Sequence, residues 1–407
     1  MTRKALDHLR VLDMSRVLAG PFLAQNLADF GADVIKVERP HHGDESRTFP
    51  PYAKDAAGHD TEDSAYFMSI NRGKRSITID IATPRGQALI KKLAAQSDVL
   101  IENYKVGDLK RYGLDYEAIR AVNPRIVYCS ITGFGQTGPY RNRPGYDYIF
   151  QAMSGLMSLT GGPDELPGGG PAKVGLAICD VITGIYSSFA VMTALAEREK
   201  SGTGQHIDMS LLDTAIATIS HINMNYLIGG IIPKRMGTGH PSIVPYQMFQ
   251  AKDGPMVVAV GNDGQFAKLC GLLGFPELPR DPRFLTNPLR VQHRDALIPQ
   301  LEAAFAKKTA GEWIQSLTQL GVPCGPLNNI QQVFDDPHVQ SRGMQVQIPH
   351  PRAGSVPALA NPARLSETPP QYERPAPALG EHTREILSSV LGLTDTEINQ
   401  LAADKVI

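Results

Sequence analysis

Asp180 is an isolated carboxylate in an apolar stretch, next to Ile178, Cys179, Val181 and Ile182. Burying an ionised carboxylate without a partner is unfavourable, so its presence at this position needs an explanation. Two explanations fit the residues: a helix N-cap, because aspartate accepts hydrogen bonds from the first amides of a helix, or a reacting nucleophile. Aspartate before a helix is common, and the residues alone favour the N-cap.

Several familiar catalytic patterns are absent from the sequence. The loop after the first predicted strand, SRVLAG at residues 15–20, contains neither GxGxxG nor a P-loop, which argues against a dinucleotide or a nucleoside triphosphate. No GxSxG or HExxH motif occurs, and the 11 histidines form no cluster with metal spacing. The 4 cysteines lack a CxxC pair. We therefore predict no metal and no permanently bound cofactor.

Composition restricts the partners. The chain has 40 Lys and Arg against 41 Asp and Glu, so no basic field is expected to bind nucleic acid or an anionic membrane. Residues 1–15 lack the apolar core of a signal peptide, and we find no run of about 18 apolar residues. We predict a cytoplasmic protein without nucleic-acid or membrane partners. A length of 407 residues, of which 42% are hydrophobic, predicts two domains.

Strand and helix patterns alternate through the first half of the chain. Pro21 marks the start of the first helix, and Thr83 is the predicted N-cap of the second. Strands are predicted at residues 10–14, 33–38, 76–81, 98–102 and 125–132. Repeated strand, helix, strand order predicts a mostly parallel sheet with helices on both faces, so the predicted fold class is α/β.

The pattern changes after about residue 227. A β-hairpin is predicted from residues 246–250 and 256–260. Capping boxes begin at Thr309 and Thr394. Helices are predicted at residues 265–273, 293–307, 309–320, 381–391 and 394–404. The proline-dense residues 348–378 predict an extended connector before the last two helices.

Six segments spread over the chain carry a shared signature. They are RVLDMSRVLAGP at residues 10–21, GADVIKVERP at 31–40, NRGKRS at 71–76, ENY at 102–104, SITGFGQTGP at 130–139 and LGEHT at 379–383. Together they resemble the family III CoA transferases, which include formyl-CoA and carnitine CoA transferases. Two further segments most resemble the succinyl-CoA:glutarate, or dicarboxylate, branch: NYLIG at residues 225–229 and GTGHPSIVPYQ at 237–247.

The resemblance implies that Asp180 is the nucleophile of CoA transfer. With an ordinary pKa of about 4, its carboxylate would be ionised at neutral pH and would attack a thioester without a general base. Attack on succinyl-CoA would form an aspartyl-succinyl anhydride, which the CoA thiolate would convert into succinate and an aspartyl-CoA thioester. A dicarboxylic acid such as glutarate would then accept CoA by the reverse steps. Backbone N–H groups of residues 133–138 are candidate donors to the oxyanion.

By position in the family motifs, the resemblance implies CoA contacts at Val17, Leu18, Arg39, Ile79, Asn103, Tyr104 and Arg111. Arg39 and Arg111 are the expected partners of the phosphates. Without the resemblance, Val17 and Ile79 would be interpreted as core residues and the two arginines as solvated surface charges.

The acceptor's distal carboxylate needs a cation or a set of donors. The candidates are Arg47, His240, Ser242, Tyr246 and Gln247. Arg47 alternatively pairs with Asp44 or Glu45, and His240 alternatively is an ordinary loop histidine. The basic pair Lys74 and Arg75 faces either phosphate or water.

Two other functions stay open on the sequence. An α-methylacyl-CoA racemase, from the same superfamily, exchanges a proton with an aspartate and a histidine. The motif that carries this histidine reads GYDY at residues 145–148, with Tyr146 at the histidine position. A CoA-binding protein without catalysis would use Asp180 only as a cap.

The resemblance also implies the architecture. Family members form an interlocked homodimer, in which each subunit has a large Rossmann-like domain built from both chain ends and a smaller α+β domain. We assign residues 1–226 to the large CoA-binding domain and residues 227–330 to the small domain. Residues 331–407 are then a linker and a C-terminal part that returns to the large domain.

Overall fold

The computed structural model describes residues 3–407 and divides the chain into two compact units. The first contains the described residues through Leu156, together with Val174–Gly229 and Gln340–Ile407. The second contains Met157–Lys173 and Gly230–Val339. The second unit therefore includes a segment, Met157–Lys173, that the sequence analysis assigned to the large domain.

The regular elements are numbered in chain order. The strands are β1 Arg10–Asp13, β2 Asp33–Glu38, β3 Tyr52–Lys54, β4 Asp60–Ser64, β5 Arg75–Thr78, β6 Val99–Glu102, β7 Val127–Thr132, β8 Gly161–Gly162, β9 Gly170–Pro171, β10 His206–Ser210, β11 Tyr246–Ala251, β12 Gly254–Ala259, β13 Cys324–Pro326, β14 Gln345–His350 and β15 Gly354–Leu359. The α-helices are α1 Ala19–Asp29, α2 Ala65–Asn71, α3 Pro84–Ala94, α4 Asp108–Arg111, α5 Tyr116–Val122, α6 Asp147–Met153, α7 Leu156–Leu159, α8 Ile178–Ser201, α9 Leu211–Ile219, α10 His221–Gly229, α11 Asp263–Leu273, α12 Asn287–Gln292, α13 Arg294–Phe305, α14 Ala310–Gln319, α15 Ile330–Asp335, α16 Pro337–Ser341, α17 Thr383–Ser389 and α18 Asp395–Ala403. Short 3₁₀ turns occur at Glu45–Thr48 and Leu278–Arg280.

A parallel sheet with strand order β10-β7-β6-β1-β2-β5 organises the described part of the first unit. Counted within the sheet and read from β5, this order is 3-2-1-4-5-6, that of the doubly wound Rossmann fold. The predicted α/β class and Rossmann-like sheet are confirmed. The order reverses between β1 and β6, so the crevice outside the carboxyl ends of these two strands is the expected ligand site.

Helices cover both faces of this sheet, and its central strands are therefore buried on both sides. On one face, α1 and α8 pack around Leu23 and Val191. On the other face, α3, α17 and α18 pack around Ile90 and Ile386. Each fully buried aliphatic side chain contributes roughly 1.5–3 kcal/mol through removal of apolar surface from water. The C-terminal helices therefore belong to the core of the first unit.

Local capping signals were predicted correctly. The Thr83 side chain accepts a hydrogen bond from the Gly86 amide at the start of α3. The capping boxes that begin at Thr309 and Thr394 both form, at the starts of α14 and α18. These bonds satisfy amides that have no partner inside the helix.

The proline-dense segment differs from its prediction. Strands β14 and β15 form an antiparallel hairpin, whereas the sequence predicted an extended connector. Beyond the hairpin, the LGEHT segment docks on β5: the His382 amide donates to the Ser76 carbonyl at 2.9 Å, and the Gly380 amide donates to the Ser76 hydroxyl at 2.9 Å. The family motif at the C-terminus therefore fastens the returning chain to the edge of the sheet.

The basic pair Lys74 and Arg75 faces neither phosphate nor water. The Lys74 ammonium is fully buried and lies 2.8 Å from a carboxylate oxygen of Asp13. Arg75 forms ion pairs with Asp33 and Glu385. Burial lowers the pKa of Lys74 to about 8, against the attraction of Asp13. Both cations therefore hold the fold together.

The second unit is built around a small antiparallel sheet, β11-β12-β13. The predicted hairpin of β11 and β12 is present, and the helices α11, α13 and α14 pack on the sheet around Phe249, Leu301 and Trp313. The Trp313 indole N–H donates to the Phe305 carbonyl at 2.8 Å. This unit therefore has its own hydrophobic core.

Helix α8 departs from one expectation. Over an 18-residue window its mean hydropathy is 1.6, so by length and composition Ile178–Ser201 could cross a membrane, although the sequence analysis found no such run. Core helices of folded domains meet the same criteria, and α8 packs against α1 and the sheet through Val191, Ala194 and Leu195. Burial therefore accounts for part of its apolar character: 39% of the window is buried, and other apolar side chains of α8 are exposed.

Candidate active site

A cavity of about 720 Å³ opens outside the carboxyl ends of the strands β1, β2, β5 and β6, where the sheet order predicts a ligand site. Arginine and lysine side chains and several carboxylates share its wall. The lining residues are Arg16, Lys36, Val37, Glu38, Arg39, His42, Gly43, Asp44, Glu45, Thr48, Ile79, Asp80, Ile81, Ala82, Tyr104, Asp108, Arg111 and Tyr112. The cavity is large enough for a substantial part of an elongated, charged ligand.

Four of the seven predicted CoA contacts line this cavity: Arg39, Ile79, Tyr104 and Arg111. Arg39 is exposed and, within residues 3–407, has no carboxylate at ion-pair distance. Arg111 lies 3.9 Å from Asp108 and donates to the Tyr112 hydroxyl. An unpaired arginine at the mouth of a cavity is suited to a phosphate, because the guanidinium presents several donors in one plane.

The other three predicted contacts, Val17, Leu18 and Asn103, belong to the loops beside the cavity. The Asn103 amide holds the backbone of Arg16 at both ends: Nδ2 donates to the Arg16 carbonyl at 2.7 Å, and Oδ1 accepts from the Arg16 amide at 2.9 Å. The side chain of Asn103 therefore joins the loop after β6 to the loop after β1. Both polar atoms of the Asn103 side chain are therefore hydrogen-bonded to the protein backbone.

Asp180 lies in the first turn of α8, which begins at Ile178 after the N-cap Ala177. The N-cap interpretation of Asp180 is therefore wrong. The side chain is partly exposed, and no donor in the described chain lies within hydrogen-bonding distance of its carboxylate. A carboxylate without hydrogen bonds keeps its lone pairs available to attack an electrophile.

The carboxylate of Asp147, from another helix, accepts the hydrogen bonds of the first amides of α8 that an N-cap Asp180 would have accepted. Its Oδ1 accepts from the Cys179 amide at 2.7 Å and from the Asp180 amide at 3.4 Å, while Gln151 donates to Oδ2 at 2.6 Å. Asp147 was not among the predicted site residues. Its place in the GYDY motif, next to Tyr146, is the signal in the sequence that points to it.

The pKa of Asp180 is not the ordinary value that the sequence analysis used. The dipole of α8 favours the charged form. Burial, followed by the negative charge of Asp147, nevertheless raises the pKa of Asp180 to about 7. The Asp180 carboxyl group is therefore partly protonated at neutral pH. Its ionised form is a stronger base than the carboxylate of a solvated aspartate.

Tyr66, on α2, is a second residue that the sequence did not reveal. Burial, followed by the charges of Asp180, Asp44 and Asp147, raises the pKa of Tyr66 to about 12, so the phenol is neutral at physiological pH. Within the described residues, its hydroxyl has no hydrogen-bond partner. Because Asp44 lines the cavity, Tyr66 lies within electrostatic reach of both the cavity wall and Asp180.

Arg47 forms an ion pair with Glu38, and not with Asp44 or Glu45. Its guanidinium donates two hydrogen bonds to Glu38, at 2.8 and 2.7 Å, and one to the Pro377 carbonyl at 3.1 Å. It also lies 3.7 Å from the centre of the Phe67 ring. The alternative partners Asp44 and Glu45 are therefore wrong, and binding of a substrate carboxylate would require Arg47 to leave Glu38.

The remaining predicted substrate residues lie in the second unit: His240, Ser242, Tyr246 and Gln247. The His240 amide donates to the Tyr246 carbonyl at 3.0 Å, and the two rings are 5.2 Å apart. Arg294 donates to the His240 carbonyl at 2.6 Å. Gln247 lies on β11 opposite Val258. The loop that carries His240 is thus fastened to α13 through Arg294.

The glycine-rich segment at residues 133–138 is partly committed to the fold. The Gln136 amide donates to both carboxylate oxygens of Asp208, each at 3.0 Å. This N–H therefore does not serve an oxyanion in the present arrangement. Across residues 3–407 no group of three or more His, Cys, Asp or Glu side chains is placed to hold a metal ion.

Comparison with known proteins gives matches along nearly the whole chain. The model of CoA-transferase family III matches residues 6–383. A succinate–glutarate CoA-transferase from Agrobacterium fabrum is 47% identical over 386 residues, which cover 95% of this chain and 95% of that protein. A succinyl-CoA:glutarate CoA-transferase from Homo sapiens is 44% identical over 405 residues, which cover 99% of this chain and 90% of that protein.

A solved structure supports the same comparison. A CAIB/BAIF family protein from Brucella suis has 46% sequence identity and a TM-score of 0.83, with 96% of this chain and 100% of that chain covered. Identity at this level over this length extends the similarity from local motifs to the whole fold.

Proposed function

Because this chain belongs to CoA-transferase family III and is an enzyme that transfers CoA, we propose that its donor is succinyl-CoA and its acceptor a dicarboxylic acid such as glutarate. The names of its relatives at 44–47% identity support this pair of substrates. The chemistry is supported by the state of Asp180. Its carboxylate accepts no hydrogen bond from the described chain, and its pKa is raised.

In the proposed reaction, the ionised Asp180 attacks the thioester carbon of succinyl-CoA. The C–S bond breaks, CoA leaves as the thiolate, and a mixed anhydride joins succinate to Asp180. The thiolate then attacks the aspartyl carbonyl, which releases succinate and leaves an aspartyl-CoA thioester. The acceptor carboxylate displaces the thiolate to form a second anhydride, and attack by the thiolate on the acceptor carbonyl releases the new acyl-CoA and free Asp180.

In this proposal the 720 Å³ cavity binds the CoA moiety. Arg39 and Arg111 face the phosphates, Tyr104 and Ile79 provide apolar contact, and Val17, Leu18 and Asn103 shape the adjoining loops. We assign the binding of the distal carboxylate to His240, Tyr246 and Gln247. Arg47 is a weaker candidate for that role because it is paired with Glu38.

The two other functions that the sequence left open receive no support. The two relatives compared above are named as transferases, and the racemase histidine position holds Tyr146, which is 80% exposed. Proton exchange at carbon would therefore lack one of the two groups that it requires.

The substrate proposal is tested by comparing glutarate with pentanoate, which has the same chain length and one carboxylate. With succinyl-CoA as donor, glutaryl-CoA is expected to form at least about 10²-fold faster than pentanoyl-CoA, because a site built for a polar group rejects an analogue that lacks it. Mass spectrometry of the acyl-CoA products measures both rates.

Equal rates for the two acids would contradict a dicarboxylate acceptor and leave CoA transfer intact. A panel of further short monocarboxylic acids, with malate and itaconate for comparison, would then define the range of acceptors. Transfer to none of these acids, in protein that still binds CoA, would contradict the donor and acceptor together.

We further propose that the protein is a homodimer, in keeping with its family. Large apolar side chains are exposed on α8 and α10, including Phe189 at 71%, Leu227 at 70% and Ile228 at 80% exposure. Large apolar side chains exposed in such number are typical of an interaction site. The expected mass by light scattering is twice the 44.2 kDa chain, and Phe189→Asp should lower it, whereas Phe189→Leu should not. A mass of one chain for the wild type would contradict the dimer.

A further inference from the structure

Val17 has an unusual backbone conformation in the loop between β1 and α1. Its φ is +69°, in the left-handed region. For a β-branched residue this conformation is a genuine outlier, because the side chain crowds the backbone. Such conformations persist only where the surroundings impose them, and they concentrate at functional sites.

Two buried side chains impose this conformation. The Val17 amide donates to both carboxylate oxygens of Asp44, each at 3.2 Å. The Lys36 ammonium donates to Asp44 at 2.9 Å and to the Ser15 carbonyl at 3.0 Å. Lys36 and Asp44 therefore hold the chain on both sides of Arg16. Asn103 holds Arg16 itself, as described above.

Further hydrogen bonds hold the Asp44 side of the pair in place. Asp44 also accepts from the amide and hydroxyl of Ser46, at 2.9 and 2.7 Å, and its own amide donates to Glu38. The side chains of Lys36 and Asp44 are 1% and 0% exposed. The attraction of Lys36, acting against burial, holds the pKa of Asp44 well below its usual range, so the carboxylate stays charged at all physiological pH values.

Stability alone does not account for such a pair. Removing two charges from water offsets most of their attraction, and apolar residues of similar size often stabilise a fold as well or better. Lys36 and Asp44 instead lie at the wall of the cavity, next to Arg16. Their position suits a role in shaping the ligand site.

We propose that Asp44 and Lys36 are positioning residues that hold Val17 in the left-handed conformation and thereby fix the loop that borders the CoA cavity. This inference rests on the proposed binding of CoA in that cavity. Neither residue needs to react with substrate. Without them, Val17 would relax towards negative φ and carry the Arg16–Leu18 backbone with it.

Glycine at position 17 provides the test, because glycine adopts positive φ without strain. Asp44→Asn keeps the size of the side chain and removes the charge that Lys36 needs. It is expected to reduce CoA affinity and kcat/KM for CoA transfer about tenfold or more when residue 17 is valine. In the Val17→Gly background the same substitution is expected to reduce them less than about threefold. Isothermal titration with CoA and steady-state kinetics measure all four proteins.

Asp29→Asn is the matched control. Asp29 is a buried aspartate paired with Arg72 at the other end of α1, roughly 15 Å from Leu18 by helix rise. Its effect should be the same with valine or glycine at position 17. Equal effects of Asp44→Asn in the two backgrounds would overturn the proposal, because a merely structural ion pair would not sense residue 17.

Two further variants keep the outcome decisive. If Asp44→Asn does not fold, Asn103→Ala releases the same loop without disturbing the buried ion pair, and the same comparison applies. Arg39→Ala tests the cavity itself: unchanged CoA affinity would contradict the proposed CoA site. In that case, coupling between residues 44 and 17 in thermal unfolding still decides whether Asp44 positions the loop.

Discussion

Replacement of Asp180 by alanine or asparagine is expected to reduce the rate of CoA transfer by about 10⁴-fold or more, because neither side chain forms an anhydride with the acyl group. Asparagine is the sharper test, since it preserves the shape of the first turn of α8 and removes only the nucleophilic oxygen. The rate of glutaryl-CoA formation from succinyl-CoA measures the loss, and thermal unfolding confirms that the variants are folded.

A matched control is available on the next helix. Asp213 also lies in the first turn of a helix, α9, and is exposed. Asp213→Asn should leave the transfer rate within about twofold of the wild type, as is usual for surface substitutions away from a site. If Asp180→Asn kept more than a tenth of the wild-type rate, Asp180 would not be the nucleophile.

The covalent intermediate can be located directly. Hydroxylamine added to enzyme and succinyl-CoA should convert the aspartyl thioester into a hydroxamate. Trypsin cleaves after Lys173 and Arg198, so the labelled peptide contains Asp180 and Glu197 as its only carboxylate side chains. Fragmentation should place the label on Asp180. A label on Asp147, which lies in another peptide, would reassign the nucleophile.

The second large effect is a dependence on pH. The nucleophile is the ionised form of Asp180, and its pKa is raised to about 7. Below this value kcat/KM should fall about tenfold for each pH unit, and above it kcat/KM should be constant. At pH 6 the wild type should therefore show about a tenth of its plateau.

Asp147→Asn should shift the acidic limb of the pH profile, where kcat/KM falls, to lower pH. The substitution removes the negative charge that, after burial, contributes most to the raised pKa of Asp180, and the amide oxygen can still accept from the Cys179 amide. At pH 6 the variant should keep a larger fraction of its own plateau than the wild type. Asp147→Glu, which keeps the charge, is the control and should leave the limb in place.

A limb that stays at the same pH in Asp147→Asn would show that burial alone raises the pKa of Asp180. A limb that moves to higher pH would contradict the electrostatic role of Asp147, because loss of a negative neighbour favours the ionised carboxylate.

Several elements were predictable from short segments of sequence. Strand β2 occupies Asp33–Glu38, as predicted, and Thr83, Thr309 and Thr394 cap the helices that follow them. These features depend on hydrophobic period and on bonds between residues three or four positions apart. Neither requires knowledge of the rest of the chain.

Several strands escaped prediction, among them β3, β4, β8, β9 and β13, and for two further regions the reason is identifiable. Strand β10, HIDMS at the edge of the sheet, is only partly buried and has no apolar run. Hairpin β14–β15 contains Pro349 and Pro357, which argue against strands in general but are tolerated at edges. In both cases pairing with another strand determined the structure, β7 for β10 and each other for β14 and β15. The hydrophobic pattern of a single segment does not show which strand it will pair with.

For the site, the sequence by itself determined the family, through its resemblance to known motifs, and with it Asp180 as the candidate nucleophile and four of the residues that line the cavity. The tertiary structure decided the state of those residues: Asp147 raises the pKa of Asp180 from 33 positions away, Glu38 occupies Arg47, and Asp44 holds Val17. The reason is physical. Interactions between charges depend on their distance and on the water around them, and folding sets both by bringing together residues that are separate in the chain.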